Sequence, residues 1–151
     1  MGESTAPKLA AKDKILFGEE VQPFALYSNQ YIPLIADATM EERIRITGKF
    51  MDILSGGGIL HINVKEEIKD PKVMRKIIEY AVQHGCSHFA INYGFGECEH
   101  NHTTVAGNSK VCSVCGSEIK SWMTRVIGYF TKVTSWNKVR REFEFPKRKF
   151  I

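Results

Sequence analysis

Hydrophobic positions along the chain change their spacing several times, and each change marks an element. The first apolar segment spans residues 21–34, VQPFALYSNQYIPL, with Phe24, Leu26, Tyr27, Tyr31 and Ile32 set between Pro23 and Pro33. Pro33 disfavours helix at Ile32, so the pattern predicts extended chain with a turn at Ser28-Asn29. Met40, Ile44, Thr47, Met51 and Leu54 then recur at spacings of three and four and make one helical face. Thr39 or Asp37 can cap that helix, Glu41 and Glu42 suit its positive first turn, and Gly56-Gly57-Gly58 is the expected stop. Residues 59–64, ILHINV, alternate and are β-rich, which predicts a strand with His61 in it as a packed or partly exposed histidine rather than a ligand. Asp70-Pro71 opens a second helix, whose buried face is Met74, Ile77, Ile78, Ala81 and Val82, and His84-Gly85 ends it. A further strand follows over 87–93, SHFAINY. Strand, helix and strand form a βαβ-like unit, so the two strands are expected to be parallel. Two strands do not make a stable sheet alone, and this half calls for more sheet from this chain or another. The first 20 residues show no period and suggest an arm or linker.

From Gly94 the pattern breaks. The stretch GFGECEHNHTTVAGNSKVCSVCGSE is rich in glycine and polar residues and poor in core formers. It holds Cys98, His100, His102, Cys112 and Cys115. Two ligand clusters separated by a loop of this length are what a tetrahedral structural zinc needs. Cys112-Ser113-Val114-Cys115-Gly116 is a regular knuckle half, and Cys98 with one histidine forms the other. The spacing favours His102, because three intervening residues let both side chains turn to one centre; His100 is the alternative. A segment with so few hydrophobic residues needs such a tie, and structural zinc contributes on the order of 10 kcal/mol of apparent binding free energy. Cys86 stands apart in a helix-to-strand turn as a small buried residue.

Composition narrows the class without deciding it. With 43% hydrophobic and 25% charged residues, the 151-residue chain has the make-up of a globular protein. No apolar run reaches the 18 or so residues of a membrane helix, and the opening MGESTAPKLAAKDK lacks the apolar core of a secretory signal. The expectation is a cytoplasmic protein with no membrane partner. In a reducing compartment a Cys-x-x-Cys pair points to metal rather than to a disulfide. The triple glycine has no Lys-Ser/Thr behind it and is not read as a phosphate cradle. A net charge of +4 permits contact with phosphates without demanding it. The basic tail over 139–151, VRREFEFPKRKFI, alternates at 140–145, which predicts an edge strand anchored by Phe143 and Phe145.

Between the knuckle and the tail lies SWMTRVIGYFTKVTSWNK, residues 121–138. A glycine among Arg125, Val126, Ile127, Tyr129 and Phe130 is unexpected, since glycine weakens a strand interior. RVIGY after a Cys-x-x-Cys-Gly ribbon, with Tyr27-Ser28-Asn29 and HFAIN upstream and Trp136-Asn137-Lys138 downstream, resembles the C-terminal glycyl radical region of the anaerobic (class III) ribonucleotide reductases. The likeness runs from Pro23 to the C-terminus. It departs from the family pattern at Asn101, where a second cysteine would fall, and at Val139, where a glycine would.

The resemblance implies an α/β fold: the C-terminal part of a glycyl-radical-enzyme barrel, followed by a zinc-ribbon element and a radical loop. The divisions are an arm or linker over 1–20, an α/β segment completing a barrel over 21–94, a zinc-binding element over 95–120, and a glycyl radical loop with a basic tail over 121–151. Gly128 would carry the radical, with Arg125 and Tyr129 positioning the loop. Glycine suits this because its Cα has no Cβ to oppose a planar, delocalised radical. An activating enzyme with a 4Fe-4S cluster and S-adenosylmethionine would take the hydrogen from Gly128. The radical would then oxidise a cysteine to a thiyl, and the thiyl would start reduction of ribonucleotide to deoxyribonucleotide. A chain this short has no room for the whole barrel, so the resemblance implies a C-terminal piece: a split subunit, a spare radical part or a portion cut from a longer chain. A split subunit would need a larger partner chain supplying the thiyl cysteine and the nucleotide sites. Two other classes stand beside this reading: a zinc-ribbon module that binds nucleic acid, and a non-catalytic docking subunit of a larger enzyme. Nucleic acid is not an expected partner on the radical reading.

Overall fold

The computed structural model describes residues 2–126 and 128–151. Helix α1 spans Gly2–Phe17, within the stretch read as arm or linker. It was not visible as a pattern because it buries little more than Pro7 and Ala10. Tyr27 ties the 21–34 segment to it, through its hydroxyl to Asp13 at 2.6 Å and its amide to the Ala6 carbonyl.

Helix α2 spans Met40–Met51. Thr39 caps it in a capping box: the Thr39 hydroxyl accepts from the Glu42 amide and the Glu42 carboxylate accepts from the Thr39 amide. The helix ends at Met51, and a short turn over residues 52–57 carries the chain into the triple glycine. Strand β1 is Leu60–Val64, helix α3 is Pro71–Gln83 with Asp70 capping the Lys72 amide, and strand β2 is Phe89–Tyr93. The two strands are parallel, with Leu60 opposite Phe89 and Val64 opposite Tyr93. Ile44, Met51, Leu60, Ile62, Val64, Ala81 and Cys86 form the core between helices and strands. Gly48 lets α2 approach the end of α3. A Cβ there would lie 1.8 Å from the His84 carbonyl oxygen, which no side chain could accommodate.

The second half is a four-stranded antiparallel sheet. Its strands are β3 (Phe95–Cys98), β4 (Thr103–Val105), β5 (Ile119–Arg125) and β6 (Phe130–Lys132), in the order β4-β3-β5-β6. Thr124, fully buried on β5, donates its hydroxyl to the Tyr93 carbonyl at 2.8 Å and fastens this sheet to the end of β2.

Two expectations need correction. Among the described residues no sheet closes into a barrel: β1 and β2 pair only with each other, and the other four strands form a separate open sheet. The tail is not an edge strand either. Residues Arg140–Glu144 form a π-helical turn and Phe145–Lys147 a 3₁₀ turn. Helical spacing brings Arg140, Glu144 and Arg148 together, four residues apart each time, and buries all three. That ion triad and Phe145, packed between Trp122 and Trp136, outweigh the alternation that suggested a strand.

Candidate metal centre and the adjoining glycine loop

Cys98 ends β3, and the chain reverses at once. The Asn101 amide donates to the Cys98 carbonyl at 3.0 Å, and the Cys98 amide to the His102 carbonyl at 3.1 Å. Asn101 takes a φ of 62°, a left-handed conformation that asparagine tolerates better than most residues. On the other side the Gly116 amide donates to the Cys112 carbonyl at 2.9 Å, and the Cys112 amide to the Ser117 carbonyl at 2.8 Å. Gly116 has a φ of 74°, which glycine adopts without strain.

These turns bring Cys98, His102, Cys112 and Cys115 together, with one ligand atom from each lying within 4.8 Å of all the others. Cys98 Sγ and Cys115 Sγ are 3.8 Å apart. Two sulfurs each about 2.3 Å from a tetrahedral centre would be separated by about 3.8 Å, so the pair fits a zinc-like ion. The electrostatics agree. The Ser117 hydroxyl, 2.9 Å from Cys115 Sγ, is the main cause holding that thiol down at about 5, with the Ser117 amide and His102 assisting. Burial pushes the Cys98 thiol up, but hydrogen bonds from Ser117 and from the His102 and His100 amides outweigh it and leave the thiol lowered. His102 is raised, chiefly by its hydrogen bond to Cys115. Its Nδ1 is buried without a hydrogen-bond partner. Three sulfurs and one imidazole nitrogen in a tight cluster are the donor set that a divalent ion completes. His100 lies outside the four. Its exposed ring places Nδ1 3.6 Å from Cys115 Sγ and 3.2 Å from Ser117 Oγ.

Strand β5 runs from this cluster to the glycine loop. Ile127, the middle of RVIGY, lies outside the described residues. The Val126 amide donates to the Tyr129 carbonyl at 3.0 Å and closes the loop at its base. Gly128 and Tyr129 are exposed. A Cβ on Gly128 would meet nothing within 4 Å beyond its chain neighbours, so packing does not require glycine here. Arg125 Nη1 donates to the Gly128 carbonyl at 2.7 Å. Arg148 holds the loop base from the other side, donating to the carbonyls of Arg125 at 2.7 Å and Val126 at 3.0 Å. Arg148 is fixed in turn by Glu144, at 2.6 and 2.9 Å, and lies over the Trp136 ring at 4.6 Å.

The sequence matches the family of the anaerobic ribonucleoside-triphosphate reductases over residues 2–150. This chain belongs to that family. No curated protein matches the sequence. Among solved structures, an anaerobic ribonucleotide reductase is 40% identical with a TM-score of 0.82, matching 99% of this chain and 23% of its own. The Thermotoga maritima anaerobic ribonucleotide reductase with glycerol in the active site is 39% identical, with a TM-score of 0.74 over 96% of this chain and 23% of its own. The same enzyme in complex with dATP and CTP is 38% identical, with a TM-score of 0.72 over 93% and 22%. The chain therefore spans less than a quarter of the length of these relatives. No helix among the described residues is long and apolar enough to cross a membrane.

Two partners of the loop in this reductase-family chain escaped the sequence reading. Asn92 accepts from Arg125 Nε at 2.9 Å, and Arg148 comes from the tail. Both contacts join residues more than twenty positions apart, and no local spacing announces them. The polar residues at 61, 63 and 92, set on strands that otherwise pack a core, were the available signal.

Proposed function

We propose that this chain is the radical-bearing part of an anaerobic ribonucleotide reductase, with Gly128 as the radical carrier. A structural zinc held by Cys98, His102, Cys112 and Cys115 would brace the strand that presents the loop. Gly128 would be activated by an enzyme using S-adenosylmethionine and a 4Fe-4S cluster. Nucleotide reduction would then depend on a thiyl cysteine and substrate sites in the part of the relatives' length that this chain does not cover. The observation that carries this reading is the glycine itself: it stands exposed in its loop, free of any packing demand, while its carbonyl is held by Arg125. Glycine there leaves the Cα accessible and able to flatten.

A second reading is a metal-braced docking subunit with no catalytic role of its own. Family membership and the Cys/His cluster bear on it more directly than on the radical, because neither needs Gly128. It is also favoured by exposed apolar side chains at Ile15 (85% exposed), Phe17, Val21 and Phe24. Beside Phe24, a groove of about 590 Å³ is lined by Leu26, Tyr27, Pro33 and Phe143. Such surface is what a piece covered by a larger body exposes when alone. For the third reading, nucleic-acid binding, the tail has less to offer than its sequence suggests, since Arg140 and Arg148 are buried against Glu144.

Anaerobic EPR of the chain with its reductase partner, an activating enzyme, S-adenosylmethionine and reductant separates the first two readings. A glycyl doublet lost in Gly128→Ala is the expected result. Unimpaired nucleotide reduction by the Gly128→Ala complex would leave only the docking role.

A further inference from the structure

The face of β1 and β2 that looks toward the glycine loop is polar where a core would be apolar. His61 and Asn63 lie two apart on β1, Asn92 pairs with Asn63 across the strands, and all three are at most 4% exposed. Asn92 Nδ2 donates to His61 Nδ1 at 3.0 Å and to Asn63 Oδ1 at 3.3 Å. The Asn92 oxygen accepts from Arg125 Nε at 2.9 Å. Chemistry fixes this orientation: a guanidinium only donates, so the amide must turn its oxygen to Arg125 and its nitrogen to β1. The same guanidinium reaches the Gly128 carbonyl through Nη1. Its fork is planar and rigid, so the atom that fixes Nε also sets the direction of Nη1.

We infer that Asn92 is a positioning residue for Gly128, acting through Arg125. The inference rests on the radical reading for its purpose but not for its geometry. A radical on Gly128 would spread into its carbonyl, and a charged donor held on that oxygen favours the electron-withdrawing half of the delocalisation. Asn92 keeps the donor in place. Stability does not account for the arrangement, because His61 Nε2 and Asn63 Nδ2 remain buried without partners. Unpaired buried polar atoms are costly, and apolar residues of similar shape would pack this face better.

The test uses the full chain. Asn92→Leu keeps the branched shape and removes both polar atoms, with Asn92→Ser as the replacement should the first not fold. Asn92→Asp keeps the oxygen that faces Arg125, and Arg125→Lys removes the fork. The first reading is amide hydrogen exchange at Val126, whose bond to Tyr129 closes the loop. Loss of one charge-assisted hydrogen bond should speed it about tenfold in Asn92→Leu, and Arg125→Lys, which gives up the bonds to both Asn92 and Gly128, should speed it at least as much. The Asn92→Leu/Arg125→Lys double variant should exchange no faster than Arg125→Lys alone, and Asn92→Asp should stay near the parent rate. Exchange unchanged in Asn92→Leu, or effects that multiply in the double variant, would overturn the inference. The second reading is the decay of the glycyl doublet in the activated complex, expected to quicken in the same variants; a doublet that decays at the parent rate in Asn92→Leu also overturns it. If the parent shows no Gly128-dependent doublet while the exchange pattern holds, the radical reading fails and the anchoring of the loop by Asn92 stands.

Discussion

His61 shows what a single buried residue contributes. Desolvation by burial, and then the positive charges of Arg125 and Arg148, push its imidazole down from 6.5 to about 4. The folded protein therefore keeps His61 neutral, with Nδ1 free to accept from Asn92. The unfolded chain takes up a proton as pH falls through 6.5, whereas the folded chain does so only near 4. Titration of His61 thus costs nothing above the unfolded value, and stability falls as pH drops across this window, by at most about 3.4 kcal/mol. Urea unfolding of the parent between pH 7 and 4.5 should show that loss on top of the carboxylate titration common to both proteins, and His61→Gln should show a shallower slope. At this scale the sequence was informative where chemistry is local. Thr39, Asp70 and the cysteines announce a cap, a helix start and a metal turn by their immediate neighbours. Nothing local tells that His61 faces Asn92, because that pairing exists only once the strands are in register.

Among the elements, the tail turn and the ribbon differ in what holds them. The tail depends on a carboxylate between two guanidinium groups, all buried. Removing the charge from Glu144 leaves two buried cations facing each other. Glu144→Gln should destabilise the fold by about 3–5 kcal/mol, the usual cost of breaking one side of a buried pair. Thermal and urea melts check this, and Arg141→Gln, on a half-exposed side chain, serves as the neutral comparison. The ribbon depends on its ligands. Cys98, Cys112 and Ile119 form its small core, joined by Trp122. On the zinc proposal, chelation should release about one zinc per chain and open residues 98–118 to exchange while β1, β2 and α3 stay protected. Cys112→Ser should do the same without chelator. Helices α2 and α3 were readable because apolar residues at helical spacing and strong caps agree; of the face expected to be buried on α3, however, only Ala81 is buried, and Ile78 and Val82 are exposed. Helix α1 and the tail were not, the first for want of an apolar stripe and the second because RREFEF fits both a strand and a helical turn.

Across the whole molecule, the C-terminal residues lace the two halves together. Lys149 donates its amide to the Leu34 carbonyl, the Ile151 amide to Asn63, and the Lys65 amide to Ile151. The parallel pair thus gains a backbone partner from the tail rather than from a closing barrel. The barrel had been expected from resemblance, and residue patterning alone supports only the βαβ unit that is found. The chain's two tryptophans both lie in the second half, flanking Phe145 at ring separations of 5.9 and 5.7 Å. Their emission therefore watches the ribbon, the glycine loop and the tail. Far-ultraviolet circular dichroism is dominated by α1, α2 and α3, all in the first half. One sample heated once, followed by both signals, records the melting of each half in its own colour, and coincident curves would mean that the lacing makes them one cooperative unit.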